Sequence, residues 1–298
     1  MTPKGGTELL QENLNRYVDA HLLSRVNLIT SICHPGLLVN NKPNVMWQHL
    51  SYDQPNVQTM KNSIFVARMH QYVYVSDWQL NKYAEHFDIP LDKSMVIRNA
   101  IEPIEYIPRP TTSKLKLIYT STPWRGLEVL LDVMELLNRD DIELDVYSST
   151  IIYGKHFMPT AYDRVFDRCR RTKNVNYKGY ALNKAVRKAV QSAHIFTYPS
   201  IFEETSCVSA IEAGAAGCKI VTTNFGALPE TCGNYASYVE YTSDRPTLVN
   251  SYAELLNNEI DNYWNNSLKD QSDFFNSKYS WNTRSQEWET LFKNLCNE

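Results

Sequence analysis

What this sequence lacks removes several classes of protein at once. Its 298 residues carry a net charge of −3 and hold no dense run of lysine or arginine, so the basic footprint of a dedicated nucleic-acid binder is absent. No apolar stretch reaches the roughly 20 residues needed to cross a bilayer, which leaves peripheral contact as the expected form of any membrane association. The six cysteines (Cys33, Cys169, Cys207, Cys218, Cys232 and Cys296) form no Cys-x-x-Cys pair and follow no signal peptide. The expectation is reduced thiols in a cytoplasmic protein. There is no internal repeat and no low-complexity tract. No Asp-x-Asp motif is present either, so neither a metal nor another cofactor is expected.

What is present reads as a globular α/β chain. Apolar residues make up 43% and charged residues 21%, enough for a buried core, and the length exceeds the roughly 100–200 residues of one ordinary domain. Short apolar or β-branched runs at Val26 to Ile32, Asn44 to Trp47, Tyr72 to Val75 and Met95 to Ile97 alternate with helical patterns, the signature of parallel α/β architecture. The first helical pattern follows the turn Lys4-Gly5-Gly6-Thr7-Glu8 and carries Leu10, Leu14, Tyr17, Val18 and Leu22. No strand precedes that turn, so the first domain reads as short, without its first strand.

Pro103, Pro108 and Pro110 mark an extended linker, and the domain boundary is placed after residue 108. A second series follows: strands at Leu115 to Tyr119, Ile142 to Tyr147, Val175 to Tyr177, His194 to Tyr198 and Lys219 to Thr222, with a helix after Gly126 bearing Leu127, Leu130, Leu131, Met134 and Leu137 on one stripe. This second domain runs over 109–280. A terminal amphipathic helix over 281–298 carries Trp281, Trp288, Leu291 and Phe292.

The strongest chemical constellation is the run from Tyr198 to Gly217, in which Glu204 lies in a polar loop and Glu212 on a small-residue helix beginning near Ser206. Helix N–H groups there, with the positive end of the dipole, would face whatever lies above the strand ends. Open α/β sheets bind ligands beyond the carboxyl ends of their strands. Glu212 could accept from two vicinal hydroxyls, such as those of a ribose. Taken alone, two glutamates eight residues apart are equally a loop carboxylate and a helix carboxylate with no ligand.

The stretch resembles the Glu-x7-Glu region of family-4 glycosyltransferases, and Val221 to Glu230 is similar to that family's strand and Gly-x-x-Pro-Glu loop. The resemblance implies a GT-B fold, two Rossmann-like domains facing across a cleft. Tyr119 to Leu127 resembles the strand, basic residue and Gly-led helix that hold the donor diphosphate, which makes Arg125 the phosphate clamp beside Gly126. A guanidinium suits that role because it stays charged and can bond two oxygens in a fork. Thr120 stands where many members carry a second basic residue, and Arg98 is a candidate to replace it. Ala100 stands where the family's Asn-Gly-Ile turn has glycine.

By the same resemblance, Gly5 and Gly6 approach the donor phosphates and Tyr180 meets the base by stacking, although a packing role fits Tyr180 equally well. Thr205, Ser206, Cys207 and Val208 at the helix start join the donor-binding set with Glu212. Asn44-Val45-Met46-Trp47-Gln48-His49 resembles the family's strand ending in a histidine, which puts His49 near the transferring sugar. His49 and Glu204 are then the catalytic pair. The implied activity is metal-independent, retaining transfer from a nucleotide diphosphate sugar to a hydroxyl acceptor such as a glycan, lipid or small molecule. Two alternatives are an inactive nucleotide-sugar-binding module and a GT-B-fold epimerase acting on the sugar nucleotide.

Overall fold

The computed structural model describes residues 5–154, 157, 160–265 and 267–297. The chain forms two compact units, the first made of Gly6–Glu102, Glu204–Cys207 and the segment from Lys278 onward, the second of Gly5, Pro103–Glu203 and Val208–Ser277.

In the first unit, the single helix expected from Leu10 through Leu22 is two. α1 (Gly6–Tyr17) buries Leu10 and Leu14, then stops. Asp19 takes φ −53°, ψ 123° and its side chain accepts from the His21 N–H, capping α2 (Ala20–Arg25). A short polar side chain in that conformation satisfies an orphan helix donor, so it starts a new helix rather than continuing the old one. Four strands follow: β1 (Asn27–Thr30), β2 (Asn44–Gln48), β3 (Gln71–Tyr74) and β4 (Ser94–Val96). They lie side by side in chain order, every pair parallel.

β2 is buried along its whole length, as a central parallel strand covered on both faces should be. α3 (Ser63–Ala67) is capped by Asn62, and α4 (Asp77–His86) by Ser76, whose hydroxyl accepts from the Gln79 N–H. Phe65, Tyr83 and Phe87 pack with Ile29, Met46, Tyr72 and Tyr74 of the sheet in one core. Because the strand order never reverses, this sheet has no switch point of its own.

The second unit carries β5 (Leu115–Thr120), β6 (Ile142–Tyr147), β7 (Val175–Tyr177), β8 (Ile195–Tyr198), β9 (Lys219–Thr223) and β10 (Ala236–Val239). Between and after them run α5 (Leu127–Leu137), α6 (Asp163–Arg171), α7 (Asn183–Ser192), α8 (Val208–Ala215), α9 (Leu228–Cys232), α10 (Arg245–Asp261) and α11 (Lys269–Lys278). The sheet is wholly parallel in the order β10-β9-β8-β5-β6-β7. Counted within the unit this is the Rossmann order, and the chain reverses direction across the sheet between β5 and β8.

The Pro-rich stretch is extended as read but firmly held. Asn276 exchanges two hydrogen bonds with the Ile104 backbone (2.8 and 2.9 Å), Gln191 donates to the Glu105 carbonyl (2.8 Å), and Arg109 donates to the carbonyls of Ala193 and Ala216. These ties place the change of unit between Glu102 and Pro103, ahead of the position read from the prolines.

The last helix, α12 (Trp281–Cys296), buries Trp281, Trp288, Leu291 and Phe292 and groups with the first unit. There Trp288 meets Trp47 edge-on at 5.1 Å and Trp281 stacks on Tyr17 at 5.7 Å. All six cysteines are free thiols, five of them buried. Among the described residues no helix is long and apolar enough to cross a membrane.

Candidate functional site

In the second unit the residues read as donor-binding gather at the switch point. β5 ends at Thr120, a 3-10 turn covers Pro123–Arg125, and Gly126 takes φ +117° before α5 begins. A Cβ on Gly126 would lie 2.0 Å from the Pro199 carbonyl oxygen, so glycine is required where the turn after β5 meets the segment after β8. The Arg125 guanidinium lies 4.3 Å from the centroid of the Phe202 ring, a cation–π contact that orients it over that segment. The first turn of α8 is fastened to the same place, since Ser209 Oγ donates to the Thr120 carbonyl at 2.8 Å. The helix starts at Val208 rather than Ser206.

Glu212 is buried in α8, and there the structure adds residues the sequence reading lacked. Arg187 of α7 donates to Glu212 Oε1 at 2.9 Å and to the Pro103 carbonyl at 3.0 Å. Burial pushes the Glu212 carboxyl above its ordinary value, opposed by Arg187 and by a hydrogen bond from Asn183. The carboxylate is therefore held in one orientation by two donors. No motif announced Arg187; only its place one helix before α8 could have suggested it.

Tyr180 follows Gly179 after β7 and is exposed. β6 lies between β7 and β5, so the strand that Tyr180 follows is roughly 10 Å across the sheet from β5 at the usual strand spacing. The sequence reading also missed an aromatic group beside Arg125, in which Trp124 meets Tyr153 at 5.7 Å and Tyr162 at 5.6 Å.

The remaining candidates, Gly5 apart, belong to the first unit. His49 lies one residue beyond β2, its ring 4.5 Å from that of Trp47. Its Nε2 is shut off from solvent without a hydrogen-bond partner, and burial lowers the imidazole pKa to about 3. The ring is neutral at physiological pH. Glu204, Thr205 and Cys207 are buried, Ser206 partly so. Thr205 Oγ1 donates to the His49 carbonyl at 2.9 Å, which joins the two catalytic candidates through the neighbour of one of them.

Gly6 opens α1, and a Cβ there would meet nothing within 4 Å; Gly5 is buried, and Lys4 lies outside the described residues. Arg98 is paired with Asp77 at 2.6 Å. Among the described residues no group of three or more His, Cys, Asp or Glu side chains could hold a metal ion.

The second unit is thus a parallel α/β unit in Rossmann order, with Arg125 and the start of α8 at the end of β5 and a buried, oriented Glu212 on α8. Residues 115–258 match the family model described as glycosyl transferases group 1. The resemblance to GT-B glycosyltransferases read from the motifs therefore holds, and over residues 115–258 this chain is similar to the group 1 glycosyltransferases. No curated protein sequence matches the chain.

Among solved structures, a glycosyltransferase from Rickettsia africae is 18% identical, with a TM-score of 0.69 over 98% of this chain and 83% of that one. TarM of S. aureus, in complex with fondaparinux, alpha-GlcNAc-glycerol and UDP, is 16% identical, with a TM-score of 0.63 over 85% of this chain and 51% of that one. Anabaena HepE in complex with UDP-glucose is 14% identical, with a TM-score of 0.64 over 84% of this chain and 72% of that one. At these identities the likeness is one of fold, and this chain matches about half the length of TarM.

Proposed function

We propose that this chain transfers a glycosyl group from a nucleotide diphosphate sugar to a hydroxyl acceptor, with retention of anomeric configuration and without a metal ion. The observation that carries the reading is the switch point of the second unit, where Arg125 and the start of α8 meet at the end of β5. Negative charge accumulates on a departing diphosphate, and fixed donors aimed at it stabilise the transition state more than the ground state. Glu212, oriented by Arg187 and Asn183, is assigned to the ribose hydroxyls, and Tyr180 to the base. Glu204 and His49 are assigned to the transferring sugar. A neutral imidazole with a buried, unpaired Nε2 suits hydrogen bonding to a sugar hydroxyl rather than proton transfer near pH 7.

TarM and HepE are seen with UDP or UDP-glucose, so uridine diphosphate and its sugars head the panel to test. The acceptor is proposed to be a glycan or glycolipid, and the location the cytoplasm.

Calorimetric titration with nucleoside diphosphates, followed by NMR of the product formed from the preferred donor sugar and an acceptor panel, tests the reading. Tight binding and a product with the donor's anomeric configuration are expected, and Arg125→Ala should reduce turnover about a hundredfold, the scale of losing one transition-state donor. Binding without transfer would mark an inactive module, and a changed donor sugar without an acceptor would mark an epimerase.

A further inference from the structure

His49 is bracketed by hydrogen bonds that no catalytic motif accounts for. The Gln48 side chain accepts from the Leu50 N–H at 2.8 Å and donates to the Ser31 carbonyl at 3.2 Å. Gln79 of α4 donates to the Leu50 carbonyl at 2.8 Å and accepts from the Val75 N–H at 2.9 Å. Tyr83 donates to the same Leu50 carbonyl at 3.1 Å, and Thr205 donates to the carbonyl of His49 itself at 2.9 Å. Gln48, Gln79 and Tyr83 are all fully buried. Ser31, Leu50 and Val75 follow β1, β2 and β3, so two amides tie together the carboxyl ends of three adjacent strands.

We propose that Gln48, Gln79, Tyr83 and Thr205 are positioning residues that fix the His49 main chain, with the Thr205 hydroxyl linking it to the Glu204 segment. The inference rests on the transfer reading above for the role of His49. Both buried amides have oxygen and nitrogen engaged, and a fully satisfied polar network in a core specifies one geometry rather than adding bulk stability. A displacement of about 1 Å in a catalytic group can cost about a hundredfold in rate. The side chains that prevent such a displacement belong to the mechanism without touching substrate. Thr205, expected among the donor-binding residues, has its hydroxyl committed to His49.

The test uses the full chain and the variants Thr205→Val, Thr205→Ser and Gln79→Glu. Thr205→Val keeps the shape and removes the donor, whereas Thr205→Ser keeps the donor. Gln79→Glu keeps the acceptor for Val75 and removes the donor to Leu50. Thr205→Val and Gln79→Glu should lower kcat about tenfold while donor KM moves less than about twofold, and Thr205→Ser should recover most of the turnover. Hydrogen exchange over residues 48–52, measured with no donor present, should be faster in Thr205→Val than in Thr205→Ser. Unchanged kcat and exchange in Thr205→Val overturn the proposal, as do equal losses in the Val and Ser variants. If the wild-type chain transfers no sugar, the functional reading fails, and the exchange comparison still decides whether the frame exists.

Discussion

Glu212 and Arg187 keep only 10% and 19% of their side-chain surface exposed and meet at 2.9 Å. Removing one member of such a pair leaves the other charge buried without compensation, a loss of about 3–5 kcal/mol. Glu212→Ala should therefore lower the thermal unfolding midpoint before any nucleotide is added, while Glu212→Gln, which keeps an acceptor for Arg187, should lose less. Ligand affinity is then best compared in the Gln variant. If Glu212→Ala unfolds at the wild-type temperature, Arg187 does not depend on Glu212. The sequence supplied the glutamate through the Glu-x7-Glu pattern but not the arginine, because spacing along one helix carries no information about which side chain of a neighbouring helix faces it. Thr205 was likewise legible only as a residue near a helix start; its partner lies 156 positions away.

At the scale of elements, strands were the most legible feature. Runs such as Ile195 to Tyr198, buried throughout, announce themselves because a parallel strand buried on both faces is continuously apolar or β-branched. β10 escaped notice for the converse reason: it is a four-residue edge strand with three partly exposed positions. α10 was hidden by its Asn-rich end, although Asp244 caps it and Leu248, Tyr252, Leu256 and Ile260 follow at helical spacing. α11 had no motif to mark it, yet it completes α8. Ser272 and Asn276 donate to the Ala215 carbonyl, and Gln271 to the carbonyls of Gly214 and Cys218, so carbonyls at the end of α8 are satisfied by side chains of α11. Gly214 allows the approach, since a Cβ there would lie 2.6 Å from the Phe275 ring. Gly214→Ala should destabilise the protein by about 1–3 kcal/mol through that overlap, measurable by urea unfolding; no loss would mean that the Phe275 ring moves aside freely.

At the scale of the whole molecule, each of the two units holds a histidine that burial keeps neutral, and this sets how stability responds to acid. Burial lowers His49 to about 3 and His194 to about 4, from an ordinary value of 6.5. His194 also accepts from the Lys116 N–H through Nδ1 at 2.9 Å, which a charged ring could not do. In the unfolded chain both protonate near pH 6.5, whereas in the folded chain neither does until well below that. Folding stability is thus fully present above pH 6.5 and is lost as pH falls from there through about 4 and then about 3, at up to about 1.4 kcal/mol per pH unit for each histidine. Glu212 acts in the opposite sense, because a carboxyl raised by burial holds its proton more readily folded than unfolded. Two histidines against one glutamate leave a net fall, so urea midpoints should be flat between pH 8 and 7 and decline between pH 6.5 and 4.5. His194→Gln should make that decline shallower, having removed one of the two titrating groups from the comparison. A wild-type midpoint that stays constant down to pH 4.5, or a decline that His194→Gln leaves untouched, would mean that His194 takes up its proton in the folded state as easily as in the unfolded one.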